Sequence, residues 1–307
     1  MNRRISPKQW LALVRAAVNA WIDDYAQSMG AALSYYTIFS LAPLLLIVIA
    51  VAGLIFGREA ASGEVFAQFR GLMGDEAALA VTAILGTVGK PAASVAATIL
   101  GSAILLIGAT SVFAELQSAL DRIWRAPTLP RSWGLWHLVR TRLLSFGLIL
   151  GLAFLLMVSL VLSAAISALA KWWGPAFGRW ELLAQGVNML VSFGLTTGGF
   201  AMIYKLMPRA RVHWRDVWLG AIVTSLLFEI GKFLIGFYIG KSGVALSFGA
   251  ASSLIVIFIW VYYSAQIFLI GAEFTWVYAR TFGSRRNEPR SNAAQGSSVP
   301  AGASANH

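Results

Sequence analysis

The chain has 307 residues, 58% of them hydrophobic and only 12% charged, with mean hydropathy +0.71 and a net charge of +11. Soluble domains carry about 25% charged residues, so this composition excludes an ordinary water-soluble globule and points to a chain that meets lipid. The absence of cysteine excludes disulfides, thiolate zinc sites, iron–sulfur clusters and a cysteine nucleophile, and the three isolated histidines, His137, His213 and His307, exclude an HExxH or histidine-cluster metal site.

In chain order, residues 1–29 come first. Trp10, Val14, Ala17, Val18, Trp21 and Tyr25 recur there at helical spacing, with Arg15, Asp23 and Asp24 between them. This predicts a cytoplasmic amphipathic helix, lying in the membrane interface or packed on the inner end of a bundle. A transmembrane domain over residues 30–282 follows. A bilayer core of about 30 Å takes about 20 apolar helical residues, and six segments qualify: Ala31–Phe56, Ala92–Ala114, Leu143–Ala170, Ala184–Met207, Val217–Ile239 and Ala250–Ala279. The first begins too far in, and runs too long, for a signal peptide. Between the first two spans, Gly57–Pro91 carries one stripe of Phe66, Phe69, Leu72 and Met73 and a looser one of Leu79, Val81, Ile84, Leu85 and Val88. It reads as two short helices on the outer face, or a re-entrant hairpin if its backbone is buried in protein. The tail, residues 283–307, is rich in Ser, Asn, Ala, Gly and Arg without an apolar stripe, and is expected to be disordered. The fold class is therefore all-α: a polytopic bundle of six transmembrane helices, with an N-terminal interfacial helix and a short helical outer segment.

Charge sets the orientation. With the N-terminus inside, seventeen basic residues fall on the inner side, among them Arg122, Arg125, Arg131, Lys205, Arg209, Arg211, Arg215, Arg280 and Arg285. Six fall outside: Arg58, Arg70, Lys90, Lys171, Arg179 and Lys241. This bias predicts a bacterial inner-membrane protein with both termini cytoplasmic. Because the basic charge is spread over every inner loop, it suits membrane lipid, above all anionic phospholipid, and not nucleic acid. Small residues four apart (Gly53/Gly57, Gly147/Gly151, Gly194/Gly198, Gly236/Gly240) would let helices approach closely, within one chain or in a homo-oligomer.

The polar residues inside the spans are the site candidates. Glu229 and Lys232, three apart in the middle of the fifth span, can pair on one helix face. Mid-bilayer charge costs about 2.5–3.5 kcal/mol, so the pair should face the bundle interior or a wet cavity. It suits a substrate headgroup or a proton, or else it only fixes helix rotation. Glu273, near the inner end of the sixth span, is expected to form an interfacial salt bridge with Arg280. Glu115 and Asp121 should join Arg122 and Arg125 in a charge network. Tyr35 and Tyr36 open the first span, as interfacial aromatics or substrate contacts. Pro43 and the Gly198–Gly199 tract are the expected helix breaks. No catalytic constellation, cofactor motif or metal ligand set emerges.

Four strings, GAALSYYTIFSLAPLLL, ELQSALDRIW, IYKLMPRARVHWRDVWLGA and WVYYSAQIFLIGAEFTWVYAR, in this order and between correctly placed spans, resemble the YihY/BrkB family of bacterial inner-membrane proteins. The resemblance covers about Trp21 to Arg280. It implies a six-helix inner-membrane protein and no established catalytic residues. The family's older label, a tRNA-processing ribonuclease, is regarded as a misassignment; one branch is associated with serum resistance and others with envelope lipid traffic. The leading expectation is a transporter or envelope lipid-handling protein with a polar site inside the bundle. The alternative is a non-catalytic envelope assembly factor. Short loops without clustered acids or histidines argue against an enzyme.

Overall fold

The computed structural model describes residues 6–73, 78, 79, 82, 111–127, 147, 151, 154, 158, 180–241 and 252–286. Regular structure among them is entirely α-helical: α1 (Pro7–Asp23), α2 (Ala26–Phe56), α3 (Arg58–Met73), α4 (111–123), α5 (Trp180–Leu206), α6 (Trp214–Lys241) and α7 (Ser252–Thr281). Three of these are long and apolar enough to cross a membrane by length and composition, over Gly186–Leu206, Trp214–Tyr238 and Leu254–Thr281. They coincide with the fourth, fifth and sixth expected spans. The first expected span lies within α2, which starts earlier than predicted and has no charged residue along its 31 residues. The second and third spans, and the second helix of the 57–91 segment, fall almost wholly outside the described residues.

Local chemistry explains the boundaries. Ser6 accepts from the Gln9 backbone N–H at 3.4 Å and donates its own N–H to Gln9 Oε1 at 2.9 Å, a capping box completed by Pro7 at the first helical position. The turn from α1 to α2 takes two residues, with Tyr25 in the left-handed region at φ 56°. Gly57, at φ 88°, makes the corresponding turn from α2 into α3, a conformation that glycine adopts without strain. Pro208 stops α5, because the residue before a proline is pushed out of the helical region.

The helices share one end, called here the α1 end. α2 and α6 start there; α4, α5 and α7 finish there. One core joins them: Ala26, Met29 and Leu33 from α2, Leu120 and Ile123 from α4 with Trp124 just beyond it, Tyr204 from α5, Ala221 from α6, and Leu269 and Ala272 from α7. All four strings that carry the family resemblance meet in this core. The basic residues assigned to one side, so far as they are described, gather at the same end.

α6 and α7 meet through a reciprocal contact. Each carries the pattern Gly-Ala-x-x-Thr, at Gly220–Thr224 and Gly271–Thr275. Each threonine hydroxyl donates to the carbonyl of its own glycine, at 2.8 Å and 2.7 Å. Each glycine faces the other helix's threonine so closely that a Cβ would fall 1.7 Å (Gly220) or 2.0 Å (Gly271) from the threonine Oγ1. Tyr204 ties α5 into the node, donating to the Phe268 carbonyl at 2.8 Å with Thr224 Oγ1 at 3.0 Å. Those of the four-apart glycines that are described make no such contact with other described residues. Among the described residues nothing lies within 4 Å of a Cβ at Gly57, Gly147, Gly194, Gly198 or Gly236, and at Gly151 the nearest atom is the flexible end of Met202.

Two further expectations are corrected. α5 runs unbroken through Gly198 and Gly199, and α2 runs unbroken through Pro43. Pro43 has no N–H to give to the turn before it, yet the helix continues past it; nearby, the Thr197 and Thr37 hydroxyls donate back to the Phe193 and Leu33 carbonyls, at 2.8 Å and 2.6 Å. The start of the tail is also ordered. Ser284 donates from its N–H and hydroxyl to Asp216, in the first turn of α6, at 3.1 Å and 2.6 Å, and Arg285 donates to the Arg211 carbonyl at 3.1 Å. The rest of the tail lies outside the described residues.

Candidate functional site

On α7, 100° per residue turns Glu273 about 200° away from Gly271. The Gly271/Thr275 face packs on α6, so Glu273 points the other way, to the α1–α2 junction. There it is completely buried, and no donor among the described residues reaches either carboxylate oxygen. It faces Asp24, Arg125 and, farther off, Asp23. Asp24 is 5% exposed and takes Arg125 Nη2 on Oδ1 at 2.7 Å, while its Oδ2 is buried without a donor. The expected Glu273–Arg280 salt bridge does not form. Arg280 lies over the Trp276 ring at 5.1 Å, and Arg125 also approaches that ring, at 5.5 Å. Both cations take the π-face of one indole, which leaves Glu273 to the α1 junction.

α1 reaches this site by crossing α7. Trp10 stacks on Phe274 at 6.0 Å between centroids, while Asp24 faces Glu273, one residue away on α7. Fourteen residues of helix span about 21 Å, so α1 lies across α7 and not alongside it. Leu13 and Ala17 form the buried face. Leu11, Val14, Val18, Ile22 and Tyr25 form an exposed apolar stripe on the other side.

The other predicted site residues are elsewhere. Glu229 and Lys232 do pair on α6, with Lys232 Nζ 2.8–2.9 Å from the carboxylate and 5.8 Å from the Phe228 ring centroid. Their side chains are 32% and 28% exposed, so the pair is only partly covered by the described residues. Tyr35 and Tyr36 are exposed on α2 and cluster with Phe39, with Tyr35–Phe39 centroids 4.8 Å apart. No contact among the described residues joins them to Glu229, Lys232 or Glu273, so the candidates form three separate places.

The expected charge network at the end of α4 is divided. Arg125 goes to Asp24, and Asp121 turns to the α5–α6 connection, accepting from the Arg209 backbone N–H at 2.7 Å with the Arg209 guanidinium at 3.4 Å. Beside it Gln117 donates to the Met207 carbonyl at 3.1 Å. Burial raises the Asp121 carboxyl above its ordinary 3.8, and the two Arg209 contacts only partly offset this. A raised carboxyl binds its proton more tightly in the folded state. Its contribution to stability is therefore full below the ordinary value and is lost as pH rises through the raised one. Thermal unfolding in detergent across this acidic range should show that slope, and Asp121→Asn should flatten it; equal slopes in both proteins would refute the assignment.

Sequence reasoning missed Asp24 and Arg125 as partners of Glu273. A signal was present. Two adjacent acids at the C-terminal end of a helix oppose its dipole, so Asp23–Asp24 called for a cation from another element.

These features define a multi-pass α-helical membrane protein. The family model described as "Virulence factor BrkB" matches residues 17–296, so the chain belongs to the BrkB family. It is similar to a UPF0761 membrane protein of Tolumonas auensis, 32% identical over 199 residues, which are 62% of this chain and 62% of that protein. A UPF0761 membrane protein of Psychrobacter sp. is 22% identical over 87% of this chain and 48% of its own length. One of Pseudomonas aeruginosa is 28% identical over 84% and 60%. The chain thus spans between about half and three-fifths of these relatives' lengths, and none of the names carries a ribonuclease activity. No solved structure matches.

Proposed function

We propose that this is an inner-membrane protein of six spans, with both termini cytoplasmic, that transports a solute or handles envelope lipid through a polar site in the bundle. The α1 end is then the cytoplasmic end. α1 lies in the inner interface with its stripe of Leu11, Val14, Val18, Ile22 and Tyr25 toward the acyl chains, and the basic loops beside it meet anionic headgroups.

The observation that carries this reading is the Glu229–Lys232 ion pair in the middle of α6, formed at 2.8 Å yet left about a third exposed. Charge at that depth is costly, and a pair that only fixed helix rotation would gain from full cover. A partly open pair of opposite charges offers both partners to a zwitterionic or anionic headgroup. A second reading, a non-catalytic envelope assembly factor, is favoured by the close α6–α7 packing.

Proteoliposomes carrying NBD-labelled phosphatidylglycerol, with dithionite quenching, separate the two. Wild-type protein should speed exchange between leaflets, and Glu229→Ala and Lys232→Ala should each cut the rate at least tenfold while eluting as monodisperse protein. Full rates in both variants remove the site assignment, and no exchange by wild type favours the assembly reading.

A further inference from the structure

The buried acidic pair at the α1–α2 junction is not used by that reading. Glu273 offers two oxygens and Asp24 a third, all buried and all without a donor among the described residues. The charged groups that act on them are Asp23 from α1 and Arg125 from the end of α4; on α7 the one further charged residue, Arg280, lies over Trp276 and pairs with neither acid. Asp23 is exposed to solvent, so the buried count is two carboxylates against one guanidinium, which leaves the pocket one positive charge short. Asp24 is also the C-cap of α1, so the negative end of the helix dipole adds to the deficit. Buried charge without compensation is strongly unfavourable, and a bound cation removes the cost.

We propose that Glu273 and Asp24 form a binding site for one monovalent cation, a proton or a sodium ion, closed on one side by Arg125. Single charge follows from the count, since a divalent ion would replace a deficit with an excess. Among the described residues no group of three or more acidic or histidine side chains is placed to hold a metal ion, which is also unlike a polyvalent metal centre. Occupancy acts on α1. Asp24 terminates that helix and Trp21 packs on the same core, so filling the site fastens the α1–α2 turn to α7.

Binding is measured without flux, so this inference and the transport reading fail separately. Trp21, Trp124 and Trp276 report on the site by fluorescence. The purified full chain in detergent is titrated with sodium chloride against choline chloride at fixed pH, and with acid in choline alone. Wild type should show a saturable fluorescence change and a rise in Tm in one arm: sodium if the cation is sodium, acid if it is a proton. Glu273→Gln and Asp24→Asn should each abolish the saturable phase. The proposal is overturned if wild type shows no saturable phase in either arm, or if Glu273→Gln or Asp24→Asn keeps it unchanged. The first of these outcomes needs no variant to fold.

Discussion

Gly271→Ala is expected to destabilise the protein by about 1–3 kcal/mol, the usual cost of forcing a methyl into a well-packed core. The new Cβ would stand 2.0 Å from Thr224 Oγ1, 2.7 Å from Tyr204 Oη and 2.9 Å from Thr224 Cβ. None of these atoms is free to swing away. Thr224 is bonded to the Gly220 carbonyl, and Tyr204 is buried and bonded to the Phe268 carbonyl. Thermal unfolding of purified protein in detergent reads the loss. Thr224→Ala in the same chain should recover part of it by clearing the space, and a double-mutant cycle measures the coupling, about 0.5–3 kcal/mol for residues in contact. The control is Gly198→Ala. That glycine sits in a continuous helix with nothing within 4 Å of a Cβ among the described residues, so alanine should be neutral or should stabilise by up to about 1 kcal/mol. Equal losses at 198 and 271 would mean that helix propensity, and not the α6–α7 contact, sets the effect.

This contrast also shows what the sequence made legible. Apolar length and charge sidedness report on solvent, which acts on every residue of a segment. They were enough to place α5, α6 and α7 within a few residues and to predict that the basic loops share an end. Close contacts depend on two particular residues meeting, and spacing within one helix does not say which face meets which. The four-apart glycines satisfied a general packing rule, yet Gly194, Gly198 and Gly236 have no close neighbour among the described residues. The glycines of the reciprocal contact, Gly220 and Gly271, each have threonine four residues on, and only the repetition of the pattern in two spans hinted at a mutual fit. The site was legible to the same degree. Glu229 and Lys232 are neighbours on one helix, so their pairing followed from helical geometry. Glu273 was singled out as an acid near the inner end of the sixth span, but its partners come from elements 249 and 148 positions away in the chain. Arg280, the local alternative, is drawn off by an indole, which no charge count reveals.

Arg125→Ala should produce the other large effect, because it strips the only cation facing Asp24 and Glu273 among the described residues. Breaking a fully buried pair by removing one partner costs about 3–5 kcal/mol. The Arg125 side chain is 53% exposed, so water already screens it, and about 1–3 kcal/mol is the expected loss. Arg125 also holds φ 49°, a left-handed conformation that costs an L-residue roughly 1–2 kcal/mol and glycine almost nothing. Arg125→Gly should therefore lose less than Arg125→Ala, and the difference reports the backbone strain apart from the charge. Asp24→Asn combined with Arg125→Ala should restore part of the stability, since one of the two stranded negative charges is gone and only that of Glu273 remains. Protease protection at α1, read alongside the unfolding temperature, locates the damage. If the pair fastens the α1–α2 turn, cleavage within residues 7–25 should rise in Arg125→Ala and return toward wild type in the double variant. A stability loss that Asp24→Asn fails to relieve would place the role of Arg125 in its contact with Trp276 and not in its charge toward the two acids.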